Sequence, residues 1–185
     1  MLRKGGKLME KERIEEFREF VKDTEIPEEG IQWLISHGFF TAPASSKYHL
    51  CYEGGLYEHS KNVADTLIKI SKELDFKWQR TSSPYIVGLL HDVCKIDQYL
   101  FDETKKQYIW NERQSIYGHG DKSVKLINEH IIKLTDEEKE CILNHMGAFT
   151  TDRTKWADYT NAINKYHSVL LTHSADVYAT HVLER

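Results

Sequence analysis

At 185 residues, with 40% hydrophobic and 29% charged side chains, the chain has a globular rather than a disordered composition, and its length suits one compact domain that needs no disulfide staples. The formal net charge of -4 leaves no global basic footprint for nucleic acid, and no apolar run reaches the ~18–20 residues of a membrane span. Three widely spaced cysteines (Cys51, Cys94, Cys141) without a CxxC pair, and an N-terminus lacking the apolar segment of a secretion signal, point to a reducing, cytoplasmic setting.

Residues 8–22 read as a charged amphipathic helix with Ile14, Phe17, Phe20 and Val21 as its apolar stripe. A second helix is entered at Pro27 and stopped near Gly38, and the irregular stretch "TAPASSKYHLCYEGG" follows. From Leu56 the pattern turns helical again, with Val63, Leu67, Ile70 and Leu74 on one face. "SSPYIVGLLHDVCKI" reads as the next helix, with Ser82 or Ser83 as its N-cap and Pro84 at its first position. "QYLFDETKKQYIWNE" breaks the pattern: aromatic and branched residues flank a charged turn, as in a short β-hairpin or an ordered loop inserted around 97–117. Helices resume over about 118–133, over 135–145 with Thr135 and Glu138 as a capping box, and over about 159–183. The expected fold class is all-α, a helical bundle with one small insertion, the helices of 1–38 packing on a 39–185 core.

Ten histidines are present, and what matters is which of them can converge. His59 lies on the apolar face of its helix, in line with Val63. His91 and Asp92 fall inside the run "LLHDVCKID", where a buried polar group costs several kcal/mol unless it is paired or binds a metal. On a continuous helix those two side chains stand about 100° apart, with Lys95 about 40° from His91. His119 opens a helix in "YGHGDKS", His145 ends one in "LNHMG", and Asp176 sits mid-helix among leucines and valine. Imidazole with carboxylate is a ligand mix for Zn, Mn, Fe, Co or Ni, and six such ligands suffice for one or two divalent ions if a carboxylate bridges. Two such ions about 3.5–4 Å apart activate water and clamp a phosphoryl group.

The order His … His-Asp … His … His … Asp on helices resembles the HD superfamily of metal-dependent phosphohydrolases. "GGLYEHSKNVADTL" is similar to that family's first-histidine helix, "IVGLLHDVCKID" to its His-Asp helix in the His-Asp-x-x-Lys form, and "HSADVYATH" to its terminal Asp helix. The resemblance spans roughly residues 39–183 and implies an HD-type phosphohydrolase domain over 39–185. Carried onto this sequence, it implies that His59, His91, Asp92 and Asp176 hold one metal. Asp92 would bridge to a second that His119 and His145 complete. Asp92 and Lys95 would be the catalytic pair, with Lys95 on the substrate phosphate or steadying the attacking hydroxide. The segment "APASSKYHLCYEGGLYEH" is also similar to the one before the first histidine in HD-type 3′-5′ exoribonucleases. No Glu-Asp pair follows the motif as in alarmone hydrolases, and no Gly-Tyr-Pro as in cyclic-di-GMP phosphodiesterases. His119 and His145 exceed the four ligands of the mononuclear 5′-nucleotidases.

The expected activity is therefore hydrolysis of a phosphomonoester or phosphodiester of a nucleotide, or of a short single-stranded oligonucleotide, by metal-activated water. Two other classes fit the same ligand set, a nucleotide- and metal-sensing domain without turnover and a di-iron oxygenase. Lys47 and His49 are placed at the pocket mouth, and His173, one turn before Asp176, faces either substrate or core. His130, His167 and His181 fall outside the site on spacing. Cys94 is read as core packing and the four tryptophans as aromatic anchors, although Trp110 in the insertion has the chemistry to stack on a base.

Overall fold

The computed structural model describes residues 4–114, 118–148 and 153–184, so the end of the expected insertion, 115–117, lies outside the described residues. In chain order the helices are α1 (Lys4–Val21), α2 (Glu28–Ser36), α3 (Gly55–Glu73), α4 (Ser83–Leu90), α5 (Gly120–His130), α6 (Asp136–Asn144), α7 (Arg153–Lys165) and α8 (Ser168–Tyr178). A short 3-10 helix, Val93–Asp97, follows α4, and a π-helical turn, Ala179–Leu183, extends α8. The insertion is an antiparallel hairpin of β1 (Tyr99–Asp102) and β2 (Gln107–Trp110), with Tyr99 opposite Trp110 and Phe101 opposite Tyr108. The all-α bundle with a small β insertion is thus observed. No helix among the described residues is long and apolar enough to cross a membrane.

The centre of the bundle is the α3–α4 pair, onto which α6 and α8 pack. Leu56, Val63 and Leu67 of α3 meet Ile86, Val87 and Leu90 of α4 in one buried cluster with Ile142 and Val169. Leu56, Val63 and Leu67 recur at helical spacing, and each buried aliphatic side chain contributes about 1.5–3 kcal/mol. Phe17 and Val21 of α1 and Ile31 and Leu34 of α2 belong to the same cluster. Phe17 meets Phe40 edge to face at 5.4 Å and Tyr57 at 6.4 Å, so the first two helices share the core with α3. Arg13 of α1 donates to the carbonyls of Phe40 (3.0 Å) and Glu53 (2.9 Å), which holds the irregular 41–54 segment against the bundle. That segment re-enters helix at Gly54, whose φ of +87° is left-handed and favours glycine.

Ser82 is the N-cap residue of α4, as read, but neither serine hydroxyl caps the helix: Ser82 Oγ donates to Glu25 and Ser83 Oγ to Glu138 at 2.7 Å. One helix boundary differs from the sequence reading. The expected helix over 159–183 is α7 and α8, separated at Tyr166–His167, where the Tyr166 amide donates to the Ala162 carbonyl and the Val169 amide to the Tyr166 carbonyl. Periodicity alone does not mark that break, because apolar residues continue through it.

At α6 the capping box is complete. The Glu138 amide donates to Thr135 Oγ1 at 3.2 Å, and the Thr135 amide to Glu138 Oε2 at 2.8 Å. Glu137 and Glu138 are both buried and serve as tertiary acceptors: Glu137 takes the Gln79 amide and the Ser168 hydroxyl, each at 2.7 Å. Thr135→Ala is expected to lower unfolding stability by about 1 kcal/mol through loss of the cap. Urea unfolding checks it, and an unchanged midpoint would show that tertiary bonds alone hold this end of α6.

Candidate metal centre

Six polar side chains, from α3 and α8 and from the ends of α4, α5 and α6, meet beneath a cavity of about 630 Å³ that His59, Asp92, Lys95, His119 and Asp176 help to line. α4 ends at Leu90, His91 is its C-cap, and the chain tightens into the 3-10 helix after Asp92. The sequence reading ran one helix through this motif, and the break replaces the helical-wheel geometry. Lys95 Nζ lies 2.6 Å from Asp92 Oδ2.

Asp92, 2% exposed, is the hub. Its Oδ2 lies 3.5 Å from both His59 Nε2 and His91 Nε2, and its Oδ1 lies 3.0 Å from His119 Nε2 and 3.5 Å from His145 Nε2. On the first side Asp176 Oδ1 is 3.3 Å from His59 Nε2, and the Nε2 atoms of His59 and His91 face each other at 3.3 Å. On the second, His119 and His145 face each other Nε2 to Nε2 at 3.0 Å.

Backbone partners fix which imidazole nitrogen is bare. His91 Nδ1 lies 2.9 Å from the Gly88 carbonyl and His145 Nδ1 2.6 Å from the Ile142 carbonyl. A carbonyl only accepts, so Nδ1 carries the hydrogen and the Nε2 lone pair of each neutral ring points inward. Each carbonyl belongs to the residue three before its histidine, so the helix end itself sets the tautomer. His59 Nδ1 is 3.1 Å from both oxygens of Glu184, a second acceptor-only partner.

Electrostatics follow from this crowding of carboxylates. Burial, only partly opposed by Asp92, pushes His91 down to about 4, so its ring is neutral at pH 7. Burial acts against charge on His59 too, but hydrogen bonds to Asp176 and Glu184 prevail and raise it to about 9. His119 is raised to about 10, the charge of Asp92 at 3.0 Å overcoming burial. Against burial, Lys95 and the histidines hold Asp92 well below the usual carboxylate range, and His59 does the same for Asp176. The site thus concentrates negative charge that a proton or a metal ion can answer.

The donor set fits a divalent cation. Asp92 Oδ1 is fully buried yet accepts no hydrogen bond of sound geometry, and the bare Nε2 of His145 turns toward it at 3.5 Å. His59, His91 and Asp176 offer three ligand atoms within 4.8 Å of one another, as do His91, Asp92 and His145.

All six residues singled out in the sequence as metal ligands therefore lie together. His173 and His49 line the cavity, and His173 Nδ1 is also 2.7 Å from the His145 carbonyl. Lys47 is exposed and its side chain is not part of the cavity wall, where its neighbours Tyr48 and His49 stand instead. His181, read as remote from the spacing of an α-helix, lines the mouth because the π-turn changes the phase after Tyr178. Cys94 is buried as expected, but its Sγ lies 3.2 Å from His119 Nδ1, behind a candidate ligand.

Sequence reasoning missed Glu184, which reaches His59 from beyond the π-turn and also accepts from Asn62 Nδ2 at 3.0 Å. It also missed Lys122, fully buried and bonded to Asp97 and to Gln114 Oε1. No local pattern marks either residue, since the partners lie far away in the chain or in another element.

A family model described as HD domain matches residues 56–180. The chain is similar to the dihydroneopterin 2′,3′-cyclic phosphate phosphodiesterase of Methanocaldococcus jannaschii, 34% identical over 107 residues, which covers 50% of this chain and 43% of that protein. The chain therefore spans less than half the length of this curated relative. No solved structure matches.

Proposed function

The chain belongs to the HD domain family, and from that premise we propose that it is a metal-dependent phosphohydrolase acting on a small nucleotide-like phosphate ester. The observation that carries the proposal is Asp92, whose two oxygens each face a separate pair of imidazoles. His59, His91, Asp92 and Asp176 would hold one divalent ion, and His119 and His145, sharing Asp92, a second. Bound there, such ions supply Lewis acidity and a water acidic enough to attack phosphorus near neutral pH.

The protein's own groups do the rest. Asp92 and Asp176 supply ligand charge without fully neutralising the cations, so a phosphate is still attracted. Lys95 lines the cavity and holds its ammonium 2.6 Å from Asp92, ready to meet a phosphoryl oxygen as negative charge develops. Burial disfavours that charge, but Asp92 more than compensates and raises Lys95, so it is a cation throughout the neutral range. His49, His173 and His181 line the cavity beside them. The name of the Methanocaldococcus jannaschii relative makes a 2′,3′-cyclic phosphodiester the first substrate to try.

Purified protein loaded with Mn²⁺, Co²⁺, Ni²⁺, Zn²⁺ or Fe²⁺ is tested on cyclic phosphodiesters, mononucleotides and short oligonucleotides. Release of a phosphomonoester or of phosphate by at least one metal form is expected. Nucleotide binding with no hydrolysis under any metal would instead mark a sensor, and oxygen uptake by the iron form an oxygenase.

Glu184 is the natural test of how the ligands are oriented. A carboxylate on the far nitrogen of a ligating histidine typically contributes 10–100-fold in metal affinity. Glu184→Gln is expected to weaken divalent-ion binding by that factor, read by competition with a chromophoric chelator. Parental affinity in the variant would remove Glu184 from the centre.

A further inference from the structure

We propose that the hairpin is the substrate's ring-binding platform, taking one flat heteroaromatic ring joined by a sugar to the phosphate at the metal centre. This rests on the phosphohydrolase reading and specifies its substrate class. The register places Tyr99 opposite Trp110 and Phe101 opposite Tyr108, so side-chain alternation puts four aromatic rings on one face of the ribbon and Leu100 and Ile109 on the other. Tyr99 and Trp110 meet edge to face at 6.0 Å, and Phe101 and Tyr108 at 5.2 Å.

The face begins inside the site. Tyr99 lines the metal cavity, and β1 follows directly from the 3-10 helix that carries Lys95. A phosphate held at Lys95 therefore leaves its sugar and ring beside the Tyr99–Trp110 pair. Farther out, Trp110 is 53% exposed and Phe101 46%, while Tyr48, 83% exposed, lines the same cavity. Large rings kept this open beside a polar site suit the π-face of a ligand better than a core.

The charges on the hairpin turn limit the ligand's length. Lys106 donates to Glu103 at 2.9 Å and Lys105 lies 3.8 Å from Asp102, so the turn's lysines already face carboxylates. A polynucleotide running along the ribbon would meet no net positive track, whereas one nucleotide-sized molecule needs none.

Two readouts test the platform. First, adenosine and uridine 2′,3′-cyclic phosphates are titrated into the full chain while tryptophan fluorescence is followed. Saturable quenching is expected, and its loss in Trp110→Phe, which retains a ring but not the indole, assigns the signal to Trp110. Second, kcat/KM for adenosine 2′,3′-cyclic phosphate is divided by that for ethylene glycol cyclic phosphate, which has no ring. The ratio is expected to fall about tenfold in Trp110→Ala and in Phe101→Ala, and to keep its parental value in Leu100→Ala on the opposite face. Parental ratios in both aromatic variants, or no quenching by either nucleotide, would overturn the platform. Hydrolysis of both esters without quenching defeats the platform alone. Quenching without hydrolysis of any ester defeats the phosphohydrolase reading and leaves the platform standing.

Discussion

Replacing Asp92 by Asn is expected to reduce phosphoester hydrolysis about a thousandfold and to strip most bound metal from the protein. The change keeps size and shape and removes one negative charge. Among the described residues Asp92 is the carboxylate that touches both pairs of imidazoles, through Oδ2 on one side and Oδ1 on the other. Loss of a shared anionic ligand costs several kcal/mol of charge stabilisation, and about 1.4 kcal/mol corresponds to tenfold in rate. The variant also leaves the Lys95 ammonium, only 12% exposed, without its 2.6 Å partner, so some loss of stability is expected as well. Lys95→Ala separates the two effects. It retains every proposed ligand and should bind metal like the parent while turning over more slowly. Metal content by elemental analysis, a thermal melt and initial rates are measured on all three proteins. An Asp92→Asn protein with a full metal complement and parental rate would remove Asp92 from the chemistry altogether.

The second large effect is expected at a residue that offers no ligand atom of its own. Gly88→Ala should destabilise the fold by about 3 kcal/mol and loosen metal binding at the same time. A Cβ at position 88 would stand 2.4 Å from Ala64 Cα and 2.8 Å from Ala64 Cβ, so α3 and α4 touch there almost backbone to backbone. Overpacking a filled core ordinarily costs 1–3 kcal/mol, and here the obstacle is main chain, which yields less than a side chain. The only relief is for the helices to separate. His59 rides on α3 and His91 caps α4, with their Nε2 atoms 3.3 Å apart, and the Gly88 carbonyl itself holds the His91 tautomer. A displacement of about 1 Å can cost a hundredfold where geometry is critical. Urea unfolding paired with metal titration reads both parts. Parental stability would mean that the helices slide without cost, and lowered stability with parental metal affinity would uncouple the packing from the centre.

Much of the arrangement was legible along the chain because the signals are local. Apolar residues at helical spacing mark α3, the pair Thr135 and Glu138 predicts a capping box that forms as read, and Gly147 closes the turn after His145 with φ of +66°. The order of histidines and aspartates pointed to a shared site, since polar groups in core-facing helices need a common partner. The hairpin was recognisable from aromatic residues around a charged turn, and the structure adds that its rings share one face.

What stayed hidden depended on contacts between distant residues. The break after Leu90 has no sequence mark, because "LLHDVCKI" continues the apolar pattern through it. His181 and Glu184 were out of reach because one π-turn shifts the phase on which spacing arguments rely. Glu184 lies 125 positions from His59, and Cys94 became a neighbour of His119 only when α5 docked on the 3-10 helix.

By itself the sequence determined which histidines and aspartates are candidate ligands and most of the helical segments, because ligand type and hydrophobic period are properties of short stretches. Only the tertiary structure decided which nitrogen of His91 and of His145 is bare, which oxygen of Asp92 faces which pair and which acid stands behind His59. Those choices are settled by packing and by hydrogen bonds to groups that the chain brings near only when it folds.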